Sequence, residues 1–317
     1  MSIGGYFELE LPYEDEYHKN AIHLNTGRNA FEYILRAKGY KKVYLPYYTC
    51  NVMLEPIHKL NIKHEFYHID QTFRPVFDPG KILHDEAFVF NNYFGICDKQ
   101  VKEITGKYKN LIVDNSQAFY SRPISGVDTF YSPRKFFGLP DGAYLYTDTP
   151  LNLDLDQDVS FERCSHLLGR IDTGAEKHYD SFKRNSLALV NQPIKQMSNL
   201  TKRLLQSINY ENIAQIRKNN FRFLDHALRN KNELTITVNE DMVPMVYPFL
   251  RSNGNALKKK FIESNIFVAT YWPNVLKWCS DSSKEYHLAL NLLNIPVDQR
   301  YDSEHIYNRS FNILRQE

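Results

Sequence analysis

The first half of the chain alternates short apolar runs with segments of helical periodicity. Strand-like runs, which are apolar or alternate in polarity, occupy residues 42–46, 64–69, 87–90, 111–113, 127–131 and 143–146. Helix-like segments occupy residues 25–36, with Asn25 or Thr26 as the N-cap, and residues 52–60, with a kink or early stop at Pro56. Strands that alternate with helices predict an α/β fold with a mainly parallel sheet and helices on its faces.

The second half has a different pattern, in which helical periodicity dominates. Helices are expected near residues 161–168, 177–190, 198–208 and 210–228. The polar faces of the last two are rich in Lys, Arg and Asn, and we expect them to be solvated. A strand, a helix and a second strand are expected at residues 243–250, 255–264 and 266–270. The sequence thus predicts a large α/β domain at residues 1–200 and a smaller α+β domain at residues 201–317.

Composition narrows the class of protein. The 317 residues are 43% hydrophobic and 24% charged, which is typical of a soluble globular chain. A net charge of +2 gives no reason to expect a nucleic-acid or acidic-membrane partner. The four cysteines are far apart and form no CxxC pair, which argues against a disulfide framework or a zinc cluster, and we expect no metal. No signal peptide or membrane span is visible, so a cytoplasmic location is expected.

Polar residues follow the ends of two apolar runs. Asn91–Gly95 and Asp114–Gln117 come directly after strand-like segments, and Lys135 follows a third. In parallel sheets, ligands bind beyond the carboxyl ends of the strands. Taken singly, Asp114 is typical of a turn or helix cap, and Lys135 is typical of a solvated surface lysine. Their joint position at strand ends favours a functional interpretation.

Lys135 and Asp114 match two of the four parts of a pyridoxal 5′-phosphate (PLP) site. Such a site needs a lysine amine for the cofactor aldehyde and a carboxylate for the pyridine nitrogen. It also needs an anion site for the phosphate and a flat or apolar contact for the ring. Arg134, beside the lysine, favours the neutral and nucleophilic form of the amine.

The start of the first predicted helix is a candidate phosphate site. Thr26, Gly27 and Arg28 open this helix, where unpaired backbone N–H groups and the helix dipole favour an anion. An ordinary capped helix has the same pattern, so this motif alone leaves both interpretations open. Ser132, three residues before Lys135, is a further candidate ligand for the phosphate.

Four segments resemble the DegT/DnrJ/EryC1/StrS family: Asn25–Ala30, Leu45–Cys50, Val113–Ala118 and Tyr131–Gly142. Residues 269–274 and 293–301 are similar to segments of a divergent, shorter branch of that family. The similarity extends from about residue 20 to the end of the chain and keeps the family's order. It implies a fold-type-I PLP-transferase, with a large mainly parallel-sheet α/β domain and a smaller α+β C-terminal domain. The family consists chiefly of nucleotide-sugar aminotransferases.

The resemblance also implies roles for individual residues. Lys135 would form the internal aldimine with PLP, Asp114 would pair with the pyridine nitrogen, and Gln117 would lie near the ring oxygen. Gly27 and Arg28 would bind the phosphate. Family members are typically homodimers with a shared active site, in which the neighbouring subunit often contributes an Asn to the phosphate. Asn185 is the match to that residue.

The sequence departs from the family pattern at two cofactor-contacting positions. Cys50 stands where an aromatic residue commonly stacks on the cofactor ring, and Tyr47, Tyr48 or Tyr93 could substitute for it. Phe130 stands where a phosphate-binding Ser is common, and Ser132 replaces that residue if the loop is shorter. These differences bear on the substrate and on the activity itself.

Other aromatic and basic residues are candidates for substrate contact. Tyr48, Tyr93, Tyr271 and Trp272 could each touch a sugar or nucleotide ring, but core packing is the favoured interpretation of Tyr271 and Trp272. Arg300 could bind a carboxylate or phosphate, or it could form a surface ion pair with Asp298 or Asp302.

The leading hypothesis is a PLP-dependent aminotransferase that converts a keto-sugar nucleotide into an amino-sugar nucleotide in surface-polysaccharide biosynthesis. Glutamate is the expected amino donor, and the sugar and donor both come from the family resemblance. A second hypothesis is a degenerate PLP-transferase fold that binds a sugar nucleotide or a protein partner without transamination. A third is a PLP enzyme that acts on an amino acid by another reaction.

Overall fold

An eight-stranded sheet with the strand order β1-β8-β7-β6-β5-β2-β3-β4 forms the centre of the first half of the chain. The computed structural model describes residues 3–237, 239–302, 304–305, 308–309 and 313–314. The strands are β1 (Ile22–Leu24), β2 (Lys42–Pro46), β3 (Lys63–Ile69), β4 (Pro75–Val76), β5 (Glu86–Asn91), β6 (Leu111–Asp114), β7 (Asp128–Tyr131) and β8 (Ala143–Tyr146). The predicted alternation of strands and helices is confirmed.

The central strands are parallel and the outer ones antiparallel. β3, β2, β5, β6 and β7 run in the same direction, whereas β1, β4 and β8 pair antiparallel with their neighbours. All six residues of β5 are buried, as expected for a strand that is covered on both faces. Along β2, Val43 and Leu45 belong to one hydrophobic cluster and Tyr44 to the other. The alternating side chains of the sheet therefore build a core on each face.

Helices flank the sheet. The described helices are α1 (Gly27–Lys38), α2 (Leu54–Lys59), α3 (Asp98–Ile104), α4 (Ser165–Thr173), α5 (Tyr179–Ala188), α6 (Asn199–Leu205), α7 (Tyr210–Leu228), α8 (Gly254–Glu263), α9 (Val275–Trp278) and α10 (Lys284–Asn291). Among the described residues, no helix is long and apolar enough to cross a membrane.

The ends of α1 and the start of α2 show how local sequence defines helix boundaries. Thr26 is the N-cap of α1, and its side chain accepts a hydrogen bond from the Asn29 N–H. Gly39 ends the helix with a φ of 64°, which glycine adopts at no steric cost. Pro56 lies in the first turn of α2, where its missing N–H group removes no helical hydrogen bond, and the helix continues to Lys59. The predicted kink or stop at Pro56 is therefore wrong.

A second, two-stranded sheet lies in the last third of the chain. β9 (Val246–Leu250) and β10 (Leu292–Pro296) pair antiparallel, and side chains of α7 and α8 share their hydrophobic cluster. The strand predicted at residues 266–270 is wrong, because that segment makes only an isolated bridge between Ala269 and Asn294. The expectation of a solvated polar face on α7 is also wrong for Arg217 and Asn220, which are 1% and 2% exposed.

Candidate functional site

The carboxyl ends of the parallel strands surround a cavity of about 270 Å³. This volume is close to the lower end of roughly 300–1,000 Å³ that is usual for small-molecule sites. Three predicted site residues from different segments line it together: Gly27 at the start of α1, Asp114 at the end of β6 and Lys135 after β7. Because neighbouring parallel strands end at one edge of the sheet, residues far apart in sequence meet there.

Lys135 ends a short 3-10 turn, Pro133–Lys135, that follows β7. Its N–H donates to the Ser132 carbonyl at 3.1 Å, which closes the turn. The Lys135 side chain is exposed and lines the cavity. Partial desolvation of its amine by the surrounding protein lowers the pKa of Lys135; the charges of Arg134 and Arg28 lower it further, while Cys50 and Asp114 oppose the shift. The expected effect of Arg134 on the amine is therefore confirmed.

Asp114 is the last residue of β6 and is half-buried. Its Oδ1 accepts a hydrogen bond from the Ser116 N–H at 2.8 Å, which fixes the orientation of the carboxyl group. Burial raises the pKa of Asp114, whereas the hydrogen bonds from Ser116 and the charge of Lys135 lower it. A bound cation or a protonated ring nitrogen would therefore stabilise the ionised carboxylate.

Gly27 lies at the centre of a small polar concavity. A Cβ built on Gly27 would lie 3.6 Å from the Ser132 Cβ and 3.7 Å from the Ser116 Oγ. Two hydroxyl-bearing residues thus flank the first backbone N–H groups of α1, where the helix dipole favours an anion. The Arg28 guanidinium forms an ion pair with Glu55, which partly neutralises its charge. Arg28 therefore contributes to an anion site here through its backbone N–H and a weakened positive charge.

Gln117 is held by the turn that follows β5. Its Oε1 accepts a hydrogen bond from the Phe94 N–H at 3.1 Å, and the side chain lines the cavity. The turn is conformationally demanding, because Phe94 and Gly95 have φ values of 56° and 70°. The amide of Gln117 is therefore anchored to the main chain of the turn that follows β5.

The solved structures that this chain resembles include sugar aminotransferases. A DegT/DnrJ/EryC1/StrS aminotransferase from Brucella abortus matches with a TM-score of 0.62 at 14% identity, over 93% of this chain and 85% of that chain. The sugar aminotransferase CalS13 from Micromonospora echinospora matches with a TM-score of 0.60 at 14% identity, over 93% and 87% of the two chains. NtdA from Bacillus subtilis, solved with bound cofactor PMP, matches with a TM-score of 0.62 at 15% identity, over 93% and 73%. The chain has the DegT/DnrJ/EryC1/StrS aminotransferase fold.

No family model matches the sequence, and no curated protein matches it. The similarity therefore lies in the three-dimensional structure, at 12–15% sequence identity among the solved structures.

Within this aminotransferase fold, the residues present fit PLP. The cavity offers a lysine amine with a lowered pKa, a carboxylate on a neighbouring strand and a hydroxyl-flanked helix start. At Gly27 the absence of a Cβ lets a ligand approach the main chain of the helix start closely. These are three of the four parts that a PLP site requires.

Cys50, Trp272 and Phe182 all line the cavity and would supply the flat or apolar contact with the ring. Trp272 has a φ of 57°, an unusual backbone conformation for a bulky residue, and its ring lies edge-on to Tyr48 at 4.7 Å. Asn274 fastens the Trp272 segment to the loop that carries Cys50, because its Nδ2 donates to the Thr49 carbonyl at 3.0 Å.

Several candidates do not line the cavity. Tyr48 and Tyr93 are 1% and 0% exposed and stack on each other in the core. Tyr271 stacks on Phe94, and Arg300 forms an ion pair with Asp298, as its alternative interpretation predicted. The structure thus places these side chains in packing or surface roles within the chain, and of the four aromatic substrate candidates it brings only Trp272 to the cavity.

Tyr47 and Asn185 also lie outside the cavity lining. Tyr47 stacks on Phe66 and contacts His68 at the edge of the sheet, so it does not substitute for the aromatic residue missing at position 50. Asn185 is buried on α5, and its Nδ2 donates to the Pro140 carbonyl at 2.8 Å within the same chain. Its expected role in a second subunit stays a prediction.

Sequence reasoning missed the cavity-lining residues Thr49, Phe182 and Ser186, and it named Asn91 and Ser116 only within the segments Asn91–Gly95 and Asp114–Gln117. Ser116 and Asn91 could have been singled out, because they stand at the strand ends where the other candidates were sought. Phe182 and Ser186 come from α5, whose sequence carries no signal that it approaches the sheet edge.

A larger open groove of about 830 Å³ adjoins the cavity. Arg28, Cys50, Val52 and Trp272 line both spaces, so they separate the cavity from the groove. The groove is otherwise lined by apolar, aromatic, amide and charged side chains: Asn51, Leu54, Glu55, His58, Val190, Asn191, Pro273, Asn274, Lys277 and Trp278. A ligand anchored in the cavity could therefore extend well beyond it.

Proposed function

We propose that this protein is a PLP-dependent aminotransferase that converts a keto-sugar nucleotide into the corresponding amino-sugar nucleotide. The proposal includes glutamate as amino donor, a role in surface-polysaccharide biosynthesis and a cytoplasmic location. The observation that carries it is the convergence of Lys135, Asp114 and the Gly27 concavity on one cavity. The fold shared with sugar aminotransferases supports the choice of reaction class.

Each residue has a distinct chemical role in this proposal. PLP, when bound, supplies an electron sink that stabilises negative charge on a substrate carbon. Lys135 holds the cofactor through its amine and then moves a proton with that amine, for which a lowered pKa is favourable. Asp114 keeps a positive charge on the ring nitrogen. The N–H groups at Gly27 and Arg28, with Ser116 and Ser132, orient the phosphate.

The open groove supports a substrate that is larger than an amino acid. An amino donor alone would not require a space of about 830 Å³ beyond the cofactor cavity. Trp272 and Trp278 offer flat surfaces, and Lys277 and His58 offer polar contacts for a phosphorylated ligand. These features favour a nucleotide-linked sugar over a small free amino acid.

We also propose a homodimer with a shared active site. Helix α5 lines one side of the cavity through Phe182 and Ser186, while apolar side chains on α5 and the neighbouring α4 face solvent. Leu168, Ile171 and Leu187 are 57%, 83% and 70% exposed. A second subunit that covers this surface would bury it beside the site.

Visible absorption of the purified protein with added PLP tests the cofactor part of the proposal. We expect an absorption band of the lysine-bound cofactor that borohydride abolishes and that Lys135→Ala lacks. Lys195→Ala, a partly exposed lysine outside the cavity lining, is the matched control and should keep the band. If the wild-type protein shows no such band in excess PLP, the proposal is contradicted. The hypothesis of a protein with this fold that binds a ligand or partner without transamination is then favoured.

The substrate part requires a separate assay. With the cofactor bound, glutamate should be converted to 2-oxoglutarate beyond one equivalent per active site only when a keto-sugar nucleotide is present as acceptor. If the protein turns over amino acids but accepts no keto-sugar nucleotide, the cofactor assignment stands and the proposed substrate is wrong.

A further inference from the structure

Arg217 is a fully buried cation that binds main-chain carbonyl groups. It is 1% exposed on α7, and its Nη2 donates to the Phe136 carbonyl at 3.2 Å. Its Nη1 donates to the carbonyls of Pro244 and Met245 at 3.3 and 3.1 Å. The guanidinium carbon also lies 4.6 Å from the centre of the Phe136 ring. One side chain therefore connects α7, the residue after Lys135 and the segment before β9.

A second donor reaches the same carbonyl of Phe136. Gln299 Nε2 donates to it at 2.9 Å, and Gln299 Oε1 accepts from Arg217 Nε at 3.1 Å. Asn220, one turn after Arg217 on α7, holds the loop of Gln299 through the carbonyls of Val297 and Tyr301 at 3.2 and 2.9 Å. The turn that carries Lys135 is thus fixed on its C-terminal side by two planar side chains.

The other branch of the network leads to Gln117. Met245, whose carbonyl accepts from Arg217, donates its N–H to the Phe94 carbonyl at 2.8 Å. Phe94 in turn donates its N–H to Gln117 Oε1 at 3.1 Å. Arg217 therefore sits between two chains of hydrogen bonds, one ending at the Lys135 turn and the other at the Gln117 amide.

We propose that Arg217 is a positioning residue that sets the placement of Lys135 relative to Gln117. This inference rests on the proposed function, because it concerns where the two side chains meet PLP. The aldehyde-bearing carbon and the hydroxyl-bearing carbon of PLP are neighbours on the ring. A lysine bound at the first and an amide facing the second must keep a fixed spacing, and the protonation of the lysine-bound cofactor is sensitive to that spacing.

The planar fork of arginine is the essential feature. Three carbonyls and the Gln299 oxygen lie around the guanidinium at 3.1–3.3 Å, an arrangement that a lysine ammonium cannot reproduce with one nitrogen. Arg217→Lys keeps the charge and removes the fork, while Arg217→Met removes both. Arg222→Met is the matched control, because Arg222 is exposed on the same helix.

The test is a pH titration of the visible band of the PLP-bound holoenzyme, with thermal unfolding measured in parallel. We expect Arg217→Lys and Arg217→Met to shift the titration midpoint in the same direction, by about one pH unit, a tenfold change in proton affinity. Arg222→Met should titrate like wild type. If the Arg217 variants do not fold, Gln299→Ala removes one of the two donors to Phe136 and should give a smaller shift of the same sign.

The other outcomes are distinguishable. A wild-type protein with no visible band overturns the proposed function and this inference with it. A normal midpoint in Arg217→Lys with a shifted one in Arg217→Met would assign the effect to charge and overturn the positioning role. Unchanged midpoints with lower melting temperatures would show that Arg217 only stabilises the fold.

Discussion

Gly95 offers a sharp test of how tightly the turn after β5 is packed. It has a φ of 70°, in the left-handed region that favours glycine. A Cβ at this position would lie 2.9 Å from the Val243 carbonyl oxygen and 3.2 Å from the Gln117 carbonyl oxygen. Both contacts are with main-chain atoms, which cannot move aside as a flexible side chain can. Gly95→Ala therefore combines backbone strain with a steric clash.

The expected cost follows from these two contributions. An L-residue in the left-handed region costs about 1–2 kcal/mol. Overpacking against atoms that cannot relax costs a further 1–3 kcal/mol, roughly. Gly126 provides the control, because it has a φ of 77° and no atom lies within 4 Å of its built Cβ. Gly95→Ala should lower the free energy of unfolding by about 2–5 kcal/mol, and Gly126→Ala by only about 1–2 kcal/mol.

Urea denaturation of the two variants and wild type measures the difference. The m-values should be equal, so that the midpoints report stability alone. Gly95→Ala should also weaken PLP binding, because the clash acts on the main chain of Gln117, whereas Gly126→Ala should not. Equal losses of stability in the two variants would refute the reasoning, since the contacts with Val243 and Gln117 would then contribute nothing.

Three further predictions concern charge and hydrogen bonding. Asp114→Asn should raise the free energy of unfolding of the cofactor-free protein at neutral pH, because burial raises the pKa of Asp114 and so disfavours the ionised carboxylate in the folded state. This gain should disappear as the pH falls below the raised pKa, where the carboxyl group is protonated. The activity of the variant should drop by about 100-fold or more. Ser116→Ala and Ser132→Ala should each weaken PLP binding by about 10-fold in an equilibrium titration, the usual size for a lost hydrogen bond to a charged group. Burial lowers the pKa of His18 from 6.5 to about 4. The unfolded chain therefore binds a proton that the folded chain does not between these pH values, and the free energy of unfolding, unaffected by His18 above pH 6.5, falls as the pH drops towards 4. Urea denaturation at several pH values should show that the free energy of unfolding of the wild type falls by about 3 kcal/mol more than that of His18→Gln between pH 6.5 and pH 4.

The central sheet and the core of the site were predictable because their signals are local. A strand such as residues 42–46 is buried on both faces, and its apolar run is visible without knowledge of its neighbours. Asp114 and Lys135 stand at the ends of such runs, and parallel topology alone requires those ends to share one edge of the sheet. Thr26 predicted the start of α1, because its side chain is a typical N-cap.

The supporting residues were not predictable, because their roles depend on distant contacts. Arg217 and Asn220 lie among other polar residues of α7, and helical periodicity alone gave no reason to separate them from the solvated ones. They are buried because main-chain carbonyls elsewhere need donors: those of Phe136, Pro244 and Met245 for Arg217, and those of residues 297–301 for Asn220. The strand prediction at residues 266–270 was wrong for a related reason: an apolar run forms a strand only where a partner strand pairs along it, and this segment makes only an isolated bridge.

The departure from the family pattern at position 130 becomes understandable in the folded chain. Phe130 packs against Phe31, and its ring approaches the space above Gly27 at 4.0 Å, so position 130 supplies an apolar wall and no hydroxyl. Ser116 and Ser132 flank the same space from two different loops. If the phosphate hydroxyls have moved to those loops, neither serine alone should be indispensable, and the double Ala variant should lose more binding than either single one. A non-additive loss would mean that both hydroxyls bind one phosphate, because residues that share a partner couple energetically.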